Sequence, residues 1–193
     1  MNNSSVIKMI EDGLIFGDVV VPSDNYTFKK YRIAHKNEDG SNFTQVDCAN
    51  MLDLSDDKVV SKFENNNSRI DDRTYSIFLL LIDKHPNYAL KLKSDIKPED
   101  AKLVLDTPSP EIIKAARESV SYEPVAYETP DSLKQNQISR LLGLHPKMFG
   151  KYESTTASDS NRRKPSPHTW TLFLLITKQH PYYDLVHKKN ASL

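Results

Sequence analysis

The chain has 193 residues with 26 basic and 26 acidic side chains, a formal net charge of zero, and 38% of it is hydrophobic. That length holds one large domain or two small ones, and the composition is ordinary for a globular chain. A lone cysteine, Cys48, excludes an internal disulfide and a cysteine-built metal site, and the longest apolar run, 77–82, is far shorter than the about 20 residues a membrane span needs.

The N-terminus, Met1-Asn2-Asn3-Ser4-Ser5, has no basic-then-apolar leader pattern, so a reducing, cytoplasmic setting is expected. The neutral total hides an asymmetry. Residues 1–100 carry 13 basic and 17 acidic side chains (13 − 17 = −4), and residues 101–193 carry 13 and 9 (13 − 9 = +4). A phosphate-binding surface is therefore expected in the second half.

Along the chain, short strands are expected near Ile15–Val21 and a first helix over Tyr26–His35. The stretch Asp95 to Pro110, rich in proline and charge, reads as a linker. A helix over Pro110–Val120 would turn Ile112, Ile113 and Ala116 inward. In Gln135–Leu142, Ile138, Leu141 and Leu142 share one face at the i, i+3, i+4 spacing. Gly143 then ends the helix as a left-handed cap, with Leu144 packing inward after it. A further helix opens near His145-Pro146, where proline suits a first turn, and buries Met148 or Phe149 together with Tyr152. The last helix gathers Trp170, Phe173 and Leu174 and stops before Pro181.

The apolar helix occurs twice. Residues 74–90 align without gaps on 169–185, and eight of the 17 positions are identical, among them Phe78/Phe173, His85/His180 and Pro86/Pro181. The segments before them also correspond: 45–54 with 135–144, and Phe63-Glu64 with Tyr152-Glu153. Between Leu54 and Phe63 the first copy has one extra residue, and after the aromatic-glutamate pair the second copy has six more. Length changes confined to connections are what a duplicated fold tolerates. The expected architecture is all-α, two tandem copies spanning residues 1–96 and 97–193, with a short N-terminal β segment allowed.

A short helix, a glycine turn and a second helix ending in aromatic-glutamate resembles the helix-turn-helix of lambda-repressor-like (XRE-type) regulators. In the second copy Gln135 opens the first motif helix, small Ser139 sits where the helices cross, Gly143 makes the turn, and Tyr152-Glu153 closes the recognition helix. The polar loop Arg162-Arg163-Lys164-Pro165-Ser166-Pro167 and the terminal His180-Pro181 are similar to small phage and plasmid repressors and antitoxin-type regulators. The first copy departs from the pattern: Asp53 replaces the turn glycine, and its extra residue shifts the recognition helix register. Ala49 keeps the small crossing residue.

The resemblance implies that the second motif helix enters the major groove while the first lies across the backbone. On that basis Gln135, with Asn136 beside it, would meet a phosphate at a helix N-terminus. Lys147, Met148, Gly150 and Lys151 would face base edges and neighbouring phosphates, and Arg162, Arg163 and Lys164 would neutralise backbone charge. Residues 131–164 hold seven basic and three acidic side chains (7 − 3 = +4). The first copy offers Gln45, Lys58, Ser61 and Lys62, but Asp56 and Asp57 at the start of its recognition helix would repel phosphate while favouring the helix N-terminus.

Each reading has a plainer competitor. Arg162–Lys164 also reads as a solvated loop, and Tyr75, Phe78, Trp170 and Phe173 as core. His85 and His180 read as caps before proline, His145 as an exposed turn residue, and Glu64 and Glu153 as internal braces. No nucleophile elbow, phosphate loop or paired-carboxylate signature is present, and five glycines leave little room for a glycine-rich nucleotide loop. The chain is thus expected to be a non-enzymatic, cofactor-free regulator of a phage, plasmid or other mobile element, acting in a bacterial or phage-infected cytoplasm. Its partner would be double-stranded DNA, at a palindromic or direct-repeat operator, with repression favoured over activation and a homodimer compatible. The alternative is a protein-interaction factor on the same scaffold, such as an anti-defence inhibitor or a relaxosome accessory protein.

Overall fold

The computed structural model describes residues 6–7, 18–122, 131–132, 134–156 and 163–188, and within them the chain is mostly α-helical. It divides into two compact units. Val21–Leu90 with His187–Leu193 form what we term the N unit, and Met1–Val20 with Lys91–Val186 form the C unit. The division falls six residues before the expected boundary at 96/97, and the chain ends are exchanged between the units. Val20 lies against the turn at Gly143, 3.3 Å from the point a Cβ there would occupy. At the other end, the Lys188 N–H donates to the Asn87 carbonyl at 2.9 Å and its ammonium meets Asp83 at 2.9 Å.

In the N unit, α1 (Asn25–Ala34), α2 (Gln45–Met51), α3 (Asp57–Glu64) and α4 (Asp72–Leu81) follow in order. Side chains start each of them. Asp24 accepts the Tyr26 N–H, Thr44 and Asp47 form a reciprocal capping box, and Asp56 and Asp71 accept first-turn amides. The apolar faces converge on Phe28, Leu52, Val60, Ile70, Ile77 and Phe78, all with no exposed area. Phe28 meets Phe78 with ring centroids 4.5 Å apart and Phe63 edge-on at 6.0 Å.

The C unit presents α5 (Pro110–Glu118), α6 (Gln135–Leu141), α7 (Met148–Tyr152) and α8 (Pro167–Ile176). Pro110 and Pro167 start α5 and α8, where a missing N–H costs nothing. Its core gathers Ile113, Ile138, Leu142, Phe149, Leu172 and Phe173, with Phe149 and Trp170 on either hand of Phe173 at 5.3 and 5.1 Å. Ile112 is 54% exposed, not inward, because α5 buries the i, i+4 pair Ile113 and Arg117, one residue round the helix. The helix expected from His145-Pro146 begins at Met148, after a turn over Pro146 and Lys147.

The β structure is slight. A three-stranded sheet has the order β1 (Val6–Ile7), β3 (Ser121–Tyr122), β4 (Asp131–Ser132), with β1 parallel to β3 and β3 antiparallel to β4. A two-stranded sheet is formed by β2 (Tyr88–Leu92) and β5 (Tyr183–His187). Of the strand expected near Ile15–Val21, residues 18–21 form no strand, and 15–17 lie outside the described residues. A single 3-10 turn, Pro98–Asp100, interrupts the expected linker.

Left-handed residues close five helices. After α2 and α6, Asp53 (φ 52°) and Gly143 (φ 63°) let the Leu54 and Leu144 amides reach back to the Ala49 and Ser139 carbonyls at 2.9 and 2.8 Å. Asn66, Asp83 and Lys178 do the same after α3, α4 and α8. Each is the six-to-one closure that satisfies a last-turn carbonyl. Only Gly143 carries it without the roughly 1–2 kcal/mol penalty of a Cβ in that conformation.

Candidate nucleic-acid interface

The centre of the candidate surface is a buried ion pair in the C unit. Arg117, from α5, donates through Nε to Glu153 Oε1 at 2.6 Å and through Nη2 to Oε2 at 3.1 Å. The side chains are 9% and 3% exposed, so the pair sits in a medium of low polarity where a bidentate geometry matters. The hydrogen bond to Glu153 raises the guanidinium pKa, against burial. Glu153 follows directly on α7, and its Oε2 also accepts the Gln135 side-chain amide at 2.7 Å. One carboxylate thereby joins α5, the start of α6 and the end of α7.

α6 and α7 cross closely. The Ser139 hydroxyl, fully buried, accepts the Phe149 N–H at 3.0 Å, as its small size at the crossing implies. Gly150 lies over Gln135: a Cβ there would stand 2.8 Å from Gln135 Oε1. The glycine is needed for close approach, not for backbone conformation.

Around this centre two open clefts meet. Lys114, Gln135, Lys147, Gly150, Lys151 and Glu153 line one, and Arg117, Lys134, Gln135, Asn136, Pro146 and Lys147 line the other. Gln135 and Lys147 belong to both. Of the residues singled out in the sequence, Gln135, Asn136, Lys147, Gly150 and Lys151 are thus brought together. Met148 is half-buried on α7, facing neither cleft. Arg163 and Lys164 are exposed, and the Arg163 N–H donates to the Lys151 carbonyl at 3.3 Å, which carries this loop to the end of α7. Arg162 lies outside the described residues.

Sequence reasoning missed Lys114 and Lys134. The signal for Lys114 was present in the repeat: Lys114 precedes Arg117 by three residues, as Lys29 precedes Arg32. It also gave Gln135 a phosphate, whereas the side-chain nitrogen is occupied by Glu153.

The N unit holds the same three side chains. Arg32 grips Glu64 through Nε and through Nη2 at 3.1 Å, and the Gln45 amide donates to Glu64 Oε2 at 2.7 Å. Its α3 surface differs in charge. Asp56 and Asp57 stand at its start, and the hydrogen bond between them holds the Asp56 carboxyl below the usual range and raises that of Asp57. Lys58 is exposed, 4.0 Å from Asp56, Lys62 is exposed, and Ser61 accepts from the Asn65 amide at 3.2 Å.

His85, His180 and Cys48 are buried away from these clefts. His85 and His180 each accept two amides through Nδ1, from Asn87 and Tyr88 and from Tyr182 and Tyr183. Cys48 is buried, and desolvation pushes its thiol up to about 12. Among the described residues no three His, Cys, Asp or Glu side chains gather as a metal-ligand set, and no helix is long and apolar enough to cross a membrane.

No protein-family model, no curated protein and no solved structure matches this chain.

Proposed function

We propose that this chain is a sequence-specific double-stranded DNA-binding regulator, most simply a repressor of a mobile element, built from two tandem lambda-repressor-like helix-turn-helix units. The observation that carries the reading is the lysine-rimmed cleft pair of the C unit. Lys114, Lys134, Lys147 and Lys151 surround a floor whose one buried anion, Glu153, is already neutralised by Arg117. Such a surface attracts a polyphosphate backbone, and the counterions released on binding supply most of the affinity.

Support for the tandem architecture is the recurrence of bonds that the aligned apolar helices do not themselves dictate. Arg32–Glu64–Gln45 repeats as Arg117–Glu153–Gln135. Asp53 repeats as Gly143 in the same left-handed turn. Ser76 accepts the Val21 N–H at 2.8 Å, and Thr171 accepts the Leu105 N–H at 2.9 Å. An arginine of the first helix, a glutamate closing the third and a glutamine opening the second fix the angle between the motif helices. Two units in one chain supply two readers for an operator of two half-sites, the number that a dimer supplies.

The test is a fluorescence anisotropy titration of DNA from the region upstream of the coding sequence, beside a random duplex, at two salt concentrations. Selective binding that weakens steeply with salt, and is abolished in Lys147→Ala/Lys151→Ala, is the expected outcome. Binding no tighter than to the random duplex at low salt would remove the regulator reading.

The second reading, a protein-interaction factor on the same scaffold, draws on Asp56 and Asp57 at the start of α3. In the N unit these carboxylates occupy the place where a recognition helix would meet phosphate. Binding by the C unit alone, unaffected by Lys58→Ala/Lys62→Ala, would assign the N unit to this second role.

A further inference from the structure

Resting on the DNA-binding reading, we infer that Glu118 sets the affinity of this surface for phosphate: its carboxylate faces Lys114 in place of a phosphate and must yield that ammonium when a DNA backbone arrives. Glu118 is the last residue of α5. Its Oε1 accepts from Arg117 Nη2 at 3.2 Å and lies 4.0 Å from Nζ of Lys114, one helical turn earlier. Lys114 lines the first of the two clefts and Arg117 the second, so one carboxylate holds a cation of each. The two cations are not held alike. Arg117 is buried and already bound by Glu153, whereas Lys114 and Glu118 are both about half exposed. The Lys114–Glu118 pair is therefore the contact for which an anion from solvent can compete.

Stability does not account for the carboxylate. An exposed ion pair at that distance contributes little, and the order lysine then glutamate is the weaker one for an i, i+4 pair on a helix. A negative charge on the last residue also opposes the helix dipole. The N unit does without it. The repeat that sets Arg32 on Arg117 sets Lys29 on Lys114 and Ile33 on Glu118, so Lys29 is followed one turn later by an aliphatic side chain. The counter-charge thus belongs to the unit with the lysine-rimmed clefts, not to the unit whose α3 begins with Asp56 and Asp57.

Each phosphate neutralised by a lysine adds salt-dependent affinity whatever the sequence. A phosphate that takes Lys114 separates it from Glu118 and sets its own charge beside the same carboxylate. Both effects oppose binding on every duplex. Glu118 therefore subtracts from the sequence-independent affinity, which limits how firmly random DNA retains the chain.

The experiment titrates a random-sequence duplex by fluorescence anisotropy with the full chain. It compares wild type, Glu118→Gln, Lys114→Ala, the double variant and Glu99→Gln, which makes the same change of net charge in the 3-10 turn Pro98–Asp100. Thermal melting followed by circular dichroism checks that each is folded. Glu118→Gln is expected to bind more tightly, with a gain about three-fold larger at about 50 mM than at about 200 mM salt, the effect of one further neutralised phosphate. The gain should vanish when Lys114 is alanine, and Glu99→Gln should show little of it. An equal gain in Glu99→Gln would reduce the effect to net charge and overturn the inference. So would a gain undiminished by Lys114→Ala, or no gain at all. Failure of wild type to bind any duplex at low salt instead removes the regulator reading on which the inference stands.

Discussion

Arg117 and Glu153 show how a single contact constrains three elements at once. Neither side chain is exposed enough for water to replace a lost partner; without Arg117 the Glu153 charge is left in a poorly polar medium, and without Glu153 the guanidinium keeps Glu118, at 3.2 Å and half in solvent. Glu153→Ala or Arg117→Met is expected to lower stability by about 3–5 kcal/mol. Arg117→Met/Glu153→Leu, which removes both charges and fills the space, should recover most of that loss. Urea unfolding of the four proteins measures this directly, and equal stability of single and double variants would show the pair to be solvated. The same expectation applies to Arg32 and Glu64, with side chains 11% and 3% exposed. Both glutamates were legible as internal braces from the aromatic-glutamate ending. Their arginine partners were not, because 32 and 36 residues separate them in the chain.

At the scale of elements, the turn from α8 to β5 depends on the protonation of one ring. His180 Nδ1 accepts the Tyr182 and Tyr183 amides at 3.3 and 3.1 Å, which assigns its proton to Nε2, facing the Leu103 carbonyl at 2.8 Å. Protonation would turn Nδ1 from an acceptor into a donor aimed at two N–H groups. Burial lowers the pKa of this histidine, Lys93 adds to the effect, and the Leu103 carbonyl and Asp184 oppose it. The folded form therefore binds the proton less readily than the unfolded chain, and His180 contributes its full stability above the ordinary histidine range. That contribution is lost as pH falls below about 6.5 towards the lowered folded value. His180→Asn supplies a neutral acceptor, so its melting temperature should depend less on pH between 7.5 and 5 than that of wild type. Parallel pH profiles for the two proteins would count against the assignment. The His-Pro pairs at 85 and 180 were visible as helix-end devices; which amides they hold needed the turn geometry.

For the molecule as a whole, the two compact units do not coincide with the two halves of the chain. Val20 lies against Gly143 and is grouped with the C unit, whereas Val21, the next residue, bonds to Ser76 of the N unit. Deleting residues 1–20 is expected to weaken the C unit more than the N unit. Amide hydrogen exchange reads this: protection in α6 and α7 should fall, and protection in α2 and α3 should change less. An equal loss in both, or none, would contradict the division.

The sequence by itself determined the helices, because their periodicity and punctuation are local. Gln135, Gly143, Tyr152 and the apolar run from Trp170 occupy the places that spacing predicts. It also located the half with net positive charge, since net charge needs no geometry. Tertiary structure alone decided how those parts act. It turned Ile112 outward and Arg117 inward on α5, brought Lys114 and Lys134 to Lys147, and placed Val20 at the turn of α6. It also directed the Gln135 nitrogen to Glu153 and left the oxygen facing Gly150. A helix propensity is fixed within a few residues, whereas the partner of a charge or an amide is fixed by whatever distant segment the folded chain brings within about 3 Å of it.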